Sequence, residues 1–197
     1  MLFKALATAS KALGAALIVL PLSANADFYI DGDLGYATPE ADEIRASSGP
    51  GYSVGIGSEL TSWLALELDY VGLGNFSVTG ADVLPDDALN VIGIGVASDF
   101  TITGFSASML LSWRPNRWDN FYARAGYFAW SNEIEYRVRR GAIDIDESTS
   151  IDGQDPMFGL GYAYLLGGSM ESSIEYNRYY AGDVSVDIIA VGLNYHF

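Results

Sequence analysis

The sequence predicts an all-β chain closed into an eight-stranded antiparallel up-and-down transmembrane β-barrel, and three observations carry that reading. The last stretch, 184–197, reads VSVDIIAVGLNYHF. In it Phe197, Tyr195, Leu193, Val191 and Ile189 are large and apolar, whereas His196, Asn194, Gly192, Ala190 and Ile188 between them are mostly small or polar. Period-2 alternation of this kind marks a strand whose two faces meet different environments. Similar alternating segments of about ten residues recur along the chain, long enough for a tilted strand to cross a bilayer. The connections also alternate: they are long after the first, third and fifth segments and short after the second, fourth and sixth.

Composition bounds the rest. The chain has 197 residues, enough for one domain and short for two. Half of it is apolar, yet no run reaches the roughly 18 apolar residues that a membrane helix requires. There is no cysteine, which excludes disulfides, thiol-ligated metal and a lipidated N-terminal cysteine. Acidic residues number 25 against 10 basic ones, and both lysines, Lys4 and Lys11, lie in the first segment. The remainder is therefore more acidic still. Such a surface repels nucleic acid.

Residues 1–26 have the form of a secretory signal peptide: Lys4 and Lys11, an apolar core over 12–22, and Ala24-Asn25-Ala26 as a small-x-small cleavage site. The barrel domain is then 27–197. Phe28, Ile30, Leu34 and Tyr36 alternate with Tyr29, Asp31, Asp33 and Gly35 in a first strand, and 38–50, with Pro39 and Pro50, reads as a long loop. Tyr52, Val54 and Ile56 mark the second strand. The third sets Leu64, Leu66, Leu68 and Tyr70 against Ala65, Glu67, Asp69 and Val71. Residues 74–100 fit either a hairpin extension or a short helix over the barrel mouth. In the fourth strand Phe105, Ala107, Met109, Leu111 and Trp113 oppose Gly104, Ser106, Ser108 and Ser112, and Pro115 ends it because it has no N–H for a ladder. Phe121, Ala123, Ala125 and Tyr127 form one face of the fifth strand, and the charged stretch 132–155 reads as a loop. The sixth strand runs through Phe158, Leu160, Tyr162 and Tyr164 to Gly167-Gly168. The seventh carries Met170, Ile174, Tyr176 and Tyr180, and 181–183 is a clipped link into the last. A soluble lipocalin-like barrel is the competing reading, and it would turn the apolar face inward.

The segments LALELDYVGLG (64–74), FYARAGYFAW (121–130), FGLGYAYLL (158–166), SIEYNRY (173–179) and VGLNYHF (191–197) together resemble the OmpA-like transmembrane barrel, of the outer membrane protein β-barrel domain family. The resemblance covers nearly all of the chain after the leader. It implies a bacterial outer-membrane location reached through the Sec pathway, with outer-membrane lipid and lipopolysaccharide as the surroundings. It also implies periplasmic chaperones and the barrel-assembly machinery as partners in biogenesis, with Phe197, Tyr195 and Leu193 as the assembly signal. Both termini would face the periplasm, the loops would face outward, and the protein would be a monomer. Two departures stand out. The chain ends at the eighth strand, without the periplasmic peptidoglycan-binding domain of full-length OmpA proteins. Ser108 and Ser173 stand near positions where the family carries interior basic residues on its fourth and seventh strands.

Several acids fall on the face opposite the apolar one: Asp31, Asp33, Glu59, Glu67, Asp69, Glu171 and Glu175, with Arg124 as the basic strand residue among them. Counting up from the short turns sets Asp31, Glu67, Arg124 and Glu175 at similar heights. One guanidinium serves two carboxylates, so these four form the expected polar cluster of the lumen. The cluster either fills and hydrogen-bonds a narrow bore or lines a proton or small-cation path, which would make the protein a low-conductance channel. Catalysis is not expected. The chain has one histidine, His196, beside its end, and a general base near neutral pH is usually histidine. No cofactor or metal is expected either, since the run Asp144-Ile145-Asp146-Glu147 lacks the glycine and spacing of a calcium loop. Arg137 and Arg139 share outward parity with Tyr127, and Arg178 shares it with Tyr176 and Tyr180. Arginine pairs phosphate in bidentate fashion, so the three are candidates for lipopolysaccharide contact. The function expected is non-enzymatic: a structural or surface-interaction role through extracellular loops.

Overall fold

The computed structural model describes residues 27–41, 47–79, 95–140 and 143–197, so the leader expected over 1–26 lies outside it. Eight strands follow one another: β1 (Asp27–Ala41), β2 (Gly49–Thr61), β3 (Leu64–Thr79), β4 (Gly95–Trp113), β5 (Asp119–Arg140), β6 (Ile143–Gly167), β7 (Met170–Ala181) and β8 (Val184–His196). Each pairs antiparallel with the next, and β8 returns to β1, closing the barrel. The seam is held to the end of the chain, because the Phe197 N–H donates to the Phe28 carbonyl at 3.0 Å. Closure removes the sheet edge and satisfies the ladder all round.

The outward face is the apolar one. Val191 is 63% exposed and Leu193 53%, with Phe28, Ile30, Leu34, Ile56, Met109, Leu111, Leu160 and Ile174 exposed around them. A soluble barrel would reverse this arrangement, so the lipocalin-like reading is excluded. Aromatic rings bound the belt at both margins. At the short-turn end Trp113, Phe121 and Tyr162 run in sequence, with centroids 5.6 and 5.0 Å apart. At the other margin Tyr52, Tyr70 and Phe105 do the same at 6.3 and 5.3 Å. Ring girdles at two heights are what a bilayer's two interfaces select.

Short connections at 62–63, 114–118 and 168–169 lie at the end that carries both termini. At the opposite end the structure departs from two expected loops. β1 continues through Pro39 to Ala41, paired with β8, and the stretch 132–155 is the upper part of one long β5–β6 hairpin, paired as far as Arg140↔Ile143. The prolines explain how strand survives there. Pro39 lies beyond the last β1–β2 pair, Pro50 beyond the last β2–β3 pair, and Pro156 beyond the last β6–β7 pair. Pro39 and Pro156 sit where their strands have lost one neighbour, and Pro50 lies against the Gly72/Gly74 bulge of β3, so a missing N–H need not break a ladder on that side. The 74–100 segment likewise pairs as a hairpin extension wherever it is described, up to Thr79↔Ala97, and 80–94 lies outside the described residues.

A bulge at Gly72/Gly74 re-aims β3. Gly74 has φ +107°, a conformation that costs glycine little. The extra residue reverses the parity beyond it, so that Leu73 and Phe76 are both buried inside. The clipped β7–β8 link is pinned rather than loose: Asp155 Oδ2 accepts from the Gly182 N–H and from the Trp130 indole, both at 2.8 Å. The wall is lopsided as a result. β5 and β6 run 22 and 25 residues, β7 and β8 only 12 and 13.

If the exposed belt meets lipid, Val191→Arg should cost about 2–4 kcal/mol near the bilayer midplane. Ser150→Arg, on the projecting hairpin, should be close to neutral. Urea unfolding in lipid vesicles measures both.

Candidate functional site

Inside the wall the side chains are sorted into layers. At the short-turn mouth Glu171 and His196 lie 3.6 Å apart, and Arg114, from the turn, pairs with Glu59. Above them comes a thin apolar ring of Tyr29, Ala65, Leu110, Tyr122 and Ala163. The next layer is polar and buried: Asp31, Asp33, Glu67, Asp69, Ser106, Ser108, Arg124, Ser173, Glu175 and Asn177. Over that sits an apolar plug built on Val71, Leu73, Phe76, Ile102, Phe128, Met157, Tyr179 and Ile188, drawn from β3 through β8. The period-2 pattern explains the sorting, because every second residue of a strand points inward and the registers set these residues side by side.

Of the four residues expected at the centre, the structure brings three together. Arg124 Nη2 lies 2.5 Å from Glu67 Oε2 and 3.4 Å from Glu175 Oε1. Asp31, the fourth, is buried beside them with neither carboxylate oxygen hydrogen-bonded. The tyrosines of the ring below supply donors that the sequence reading did not assign. Tyr29 donates to Glu67 at 2.6 Å, and Tyr122 donates to Glu175. Asn177 also donates to Glu175 at 2.8 Å, Ser106 to Asp69 at 2.8 Å and Ser53 to Asp33 at 2.7 Å. The alternation had already placed Tyr29 and Tyr122 on the inner face; each reaches across a glycine of the intervening strand, Gly57 or Gly161, to the acid in the same register two strands away.

The other expected residues fall at the two ends. Phe197, Tyr195 and Leu193 point outward at the short-turn margin, with the first two rings edge to face at 5.3 Å. Arg178 forks onto Asp187 through Nε and Nη2 at 2.7 and 2.8 Å and also pairs with Glu40. It ties β1, β7 and β8 together, with its Nε and Nη2 engaged by carboxylates. Arg137 and Arg139 stand on β5 opposite Asp146 and Asp144 of β6, but their side chains lie outside the described residues, as do those of 144–147. His196 is flanked by Glu171 and by the Tyr29 ring at 5.0 Å.

A closed eight-strand antiparallel barrel with a lipid-facing belt, two aromatic girdles and a plugged lumen defines the small outer-membrane barrels. The chain belongs to the family described as "Outer membrane protein beta-barrel domain", which it matches over residues 7–197. It is 25% identical over 183 residues to an uncharacterized protein of Haemophilus influenzae, covering 92% of this chain and 95% of that one. Among solved structures it is similar to Ail, the attachment invasion locus protein of Yersinia pestis, in complex with the heparin analogue sucrose octasulfate: 14% identity, 87% and 99% of the two chains, TM-score 0.56. Neisserial surface protein A matches at 16% identity over 88% and 99%, TM-score 0.53. OprG, an outer membrane protein of Pseudomonas aeruginosa, matches at 11% over 87% and 96%, TM-score 0.51. These three likenesses speak for the fold.

Removing one partner from a buried ion pair typically costs about 3–5 kcal/mol. Arg124→Met should therefore destabilise the barrel on that scale, because Glu67 and Glu175 would face each other without a counter-charge. The triple change Arg124→Met, Glu67→Gln, Glu175→Gln should be less damaging than Arg124→Met alone. Urea unfolding of both variants in lipid vesicles decides it, and an Arg124→Met protein as stable as the parent would remove Arg124 from the centre of the lumen.

Proposed function

We propose that this is a non-enzymatic, non-conducting outer-membrane barrel whose role is carried by its surface at the long-strand end. One observation carries the reading. The polar layer is sealed on that side by the plug of Leu73, Phe76, Ile102, Phe128, Met157 and Tyr179, all of them buried. Ions do not cross a packed apolar layer without a large desolvation cost. Among the described residues the acids below the plug therefore line a chamber that opens only toward the short-turn mouth, where a pocket between Tyr29, Tyr122 and His196 reaches Glu67, rather than a path through the wall. What the molecule offers outward is the projecting β4–β5–β6 wall, which stands well above the short β7, β8 and β1 side.

On that wall β5 pairs without a break from Tyr127 to Arg139, so both positions 137 and 139 keep the outward parity of Tyr127. Lipopolysaccharide phosphate is the chemistry we assign to Arg137 and Arg139. Arg178, already held by Asp187 and Glu40, is a cross-strand tie instead. The sulfated ligand in the Ail structure is a poorer guide to this chain, whose acidic balance repels polyanions elsewhere on its surface.

Planar-bilayer recording tests the closed lumen. The parent should be silent, and Phe76→Ala/Phe128→Ala/Met157→Ala, which hollows the plug, should show small steps. Steady steps in the parent would restore the channel reading. For the surface role, Arg137→Ala/Arg139→Ala should retain less lipopolysaccharide through purification than the parent, while Arg178→Ala should retain as much. Equal retention by the double variant would refute the phosphate contact.

A further inference from the structure

We propose that Asp31 and Asp69 hold a small, hard, oxygen-seeking cation over Gly55, inside the polar layer below the plug. The registers set the three residues side by side, with Gly55 of β2 paired to Asp31 of β1 on one flank and to Asp69 of β3 on the other. Because Gly55 has no side chain, both carboxylates lean into the space above it. The point a Cβ would occupy there lies 2.1 Å from Asp69 Oδ1 and 2.9 Å from Asp31 Oδ1. The two oxygens are therefore no further apart than the sum of those distances. A single calcium-like ion, with bonds of about 2.3–2.6 Å, reaches across that gap.

What points to a ligand is the state of those oxygens. Asp31 is 6% exposed and Asp69 1%. Asp31 Oδ1, Asp31 Oδ2 and Asp69 Oδ1 accept no hydrogen bond, whereas Asp69 Oδ2 takes the Ser106 hydroxyl. Arg124 ion-pairs with Glu67 and Glu175, and no ion pair to Asp31 or Asp69 is formed among the described residues. Two carboxylates this deep, facing one another with one hydroxyl donor between them, require a counter-charge. A shared proton would leave one negative charge and an oxygen without a donor. A divalent ion balances both carboxylates and uses all three oxygens, two from Asp31 and one from Asp69. Among the described residues no set of three acidic or histidine side chains converges as a metal site, so water completes the coordination. The plug closes the layer above, and the pocket at the short-turn mouth, which reaches Glu67, is the ion's way in.

The experiment is refolding of the full-length mature chain from urea into lipopolysaccharide-free zwitterionic detergent, with calcium or with EDTA, followed by desalting and elemental analysis. Calcium-refolded protein should keep one calcium per chain, and its heat-modifiable band should persist to a higher temperature than that of EDTA-refolded protein. Asp31→Asn/Asp69→Asn should keep none and respond to neither additive. If that variant does not fold, Gly55→Ala, whose methyl enters the same space, serves in its place. Parent protein with no calcium and no sensitivity to EDTA would overturn the proposal in favour of a shared proton. Equal calcium in the parent and the variants would overturn it by placing the ion elsewhere.

Discussion

The width of the bore is the constraint on which this structure depends. Eight strands enclose a space just large enough for side chains to fill, so every large inward residue needs a small one opposite or beside it. Tyr29 lies over Gly57 and Tyr122 over Gly161; a Cβ at either glycine would fall within 2.5 Å of the tyrosine ring. These two contacts lay the phenol rings flat against the wall and carry their hydroxyls up to Glu67 and Glu175. The aromatic ring layer and the charged layer are therefore one construction. Remove the space over the glycines, and the donors for the acids move with the rings.

That same narrowness decides the electrostatics. An arginine spans the bore from β5 to reach Glu67 on β3 and Glu175 on β7, linking strands that share no ladder. In water such a triad would be worth little. Enclosed between apolar layers, it becomes costly to break from one side and gives the barrel a single preferred filling. Five buried carboxylates against one buried guanidinium, counted among the described residues, cannot all be balanced by that triad. The surplus gathers on β1 and β3, where Gly55 leaves room for it.

Much of this was legible in the sequence because alternation along a strand carries two kinds of information at once. The outward members of each pair, such as Val191 and Leu193, locate the bilayer, and the inward members, such as Glu67 and Glu175, locate the lumen. Counting from short turns was enough to bring Arg124 to its two partners. It did not separate Asp31 from them, because the lean of a side chain toward one neighbour depends on which adjacent residue is a glycine, and that is a property of register rather than of one strand. The long-end connections were misjudged for a related reason. Charge and proline over 38–50, and charge over 132–155, are loop signals when a strand is flanked on both sides. They are compatible with strand where one flank is open to water, as at Pro39 and Pro156. The plug was hidden as well: Phe76 lies inside only because the bulge at Gly74 reverses the parity that the preceding residues set.

The plug is also what supports the proposal that the acidic layer is no conduction path. A path requires polar inward residues at successive heights through the whole wall. On β5 the inward sequence runs from Asn120, Tyr122 and Arg124 to Phe128 and Trp130, and on β8 from His196 and Asn194 to Ala190, Ile188 and Val186. Both strands turn apolar at the same height, and β3 uses a bulge to add Leu73 and Phe76 there. Among the described residues the plug thus interrupts the inward polarity, with the acids below it and Asn132 beyond it on β5. A wall that closes its bore in this way, while extending β5 and β6 well past the girdle, is the arrangement on which the proposed surface role rests.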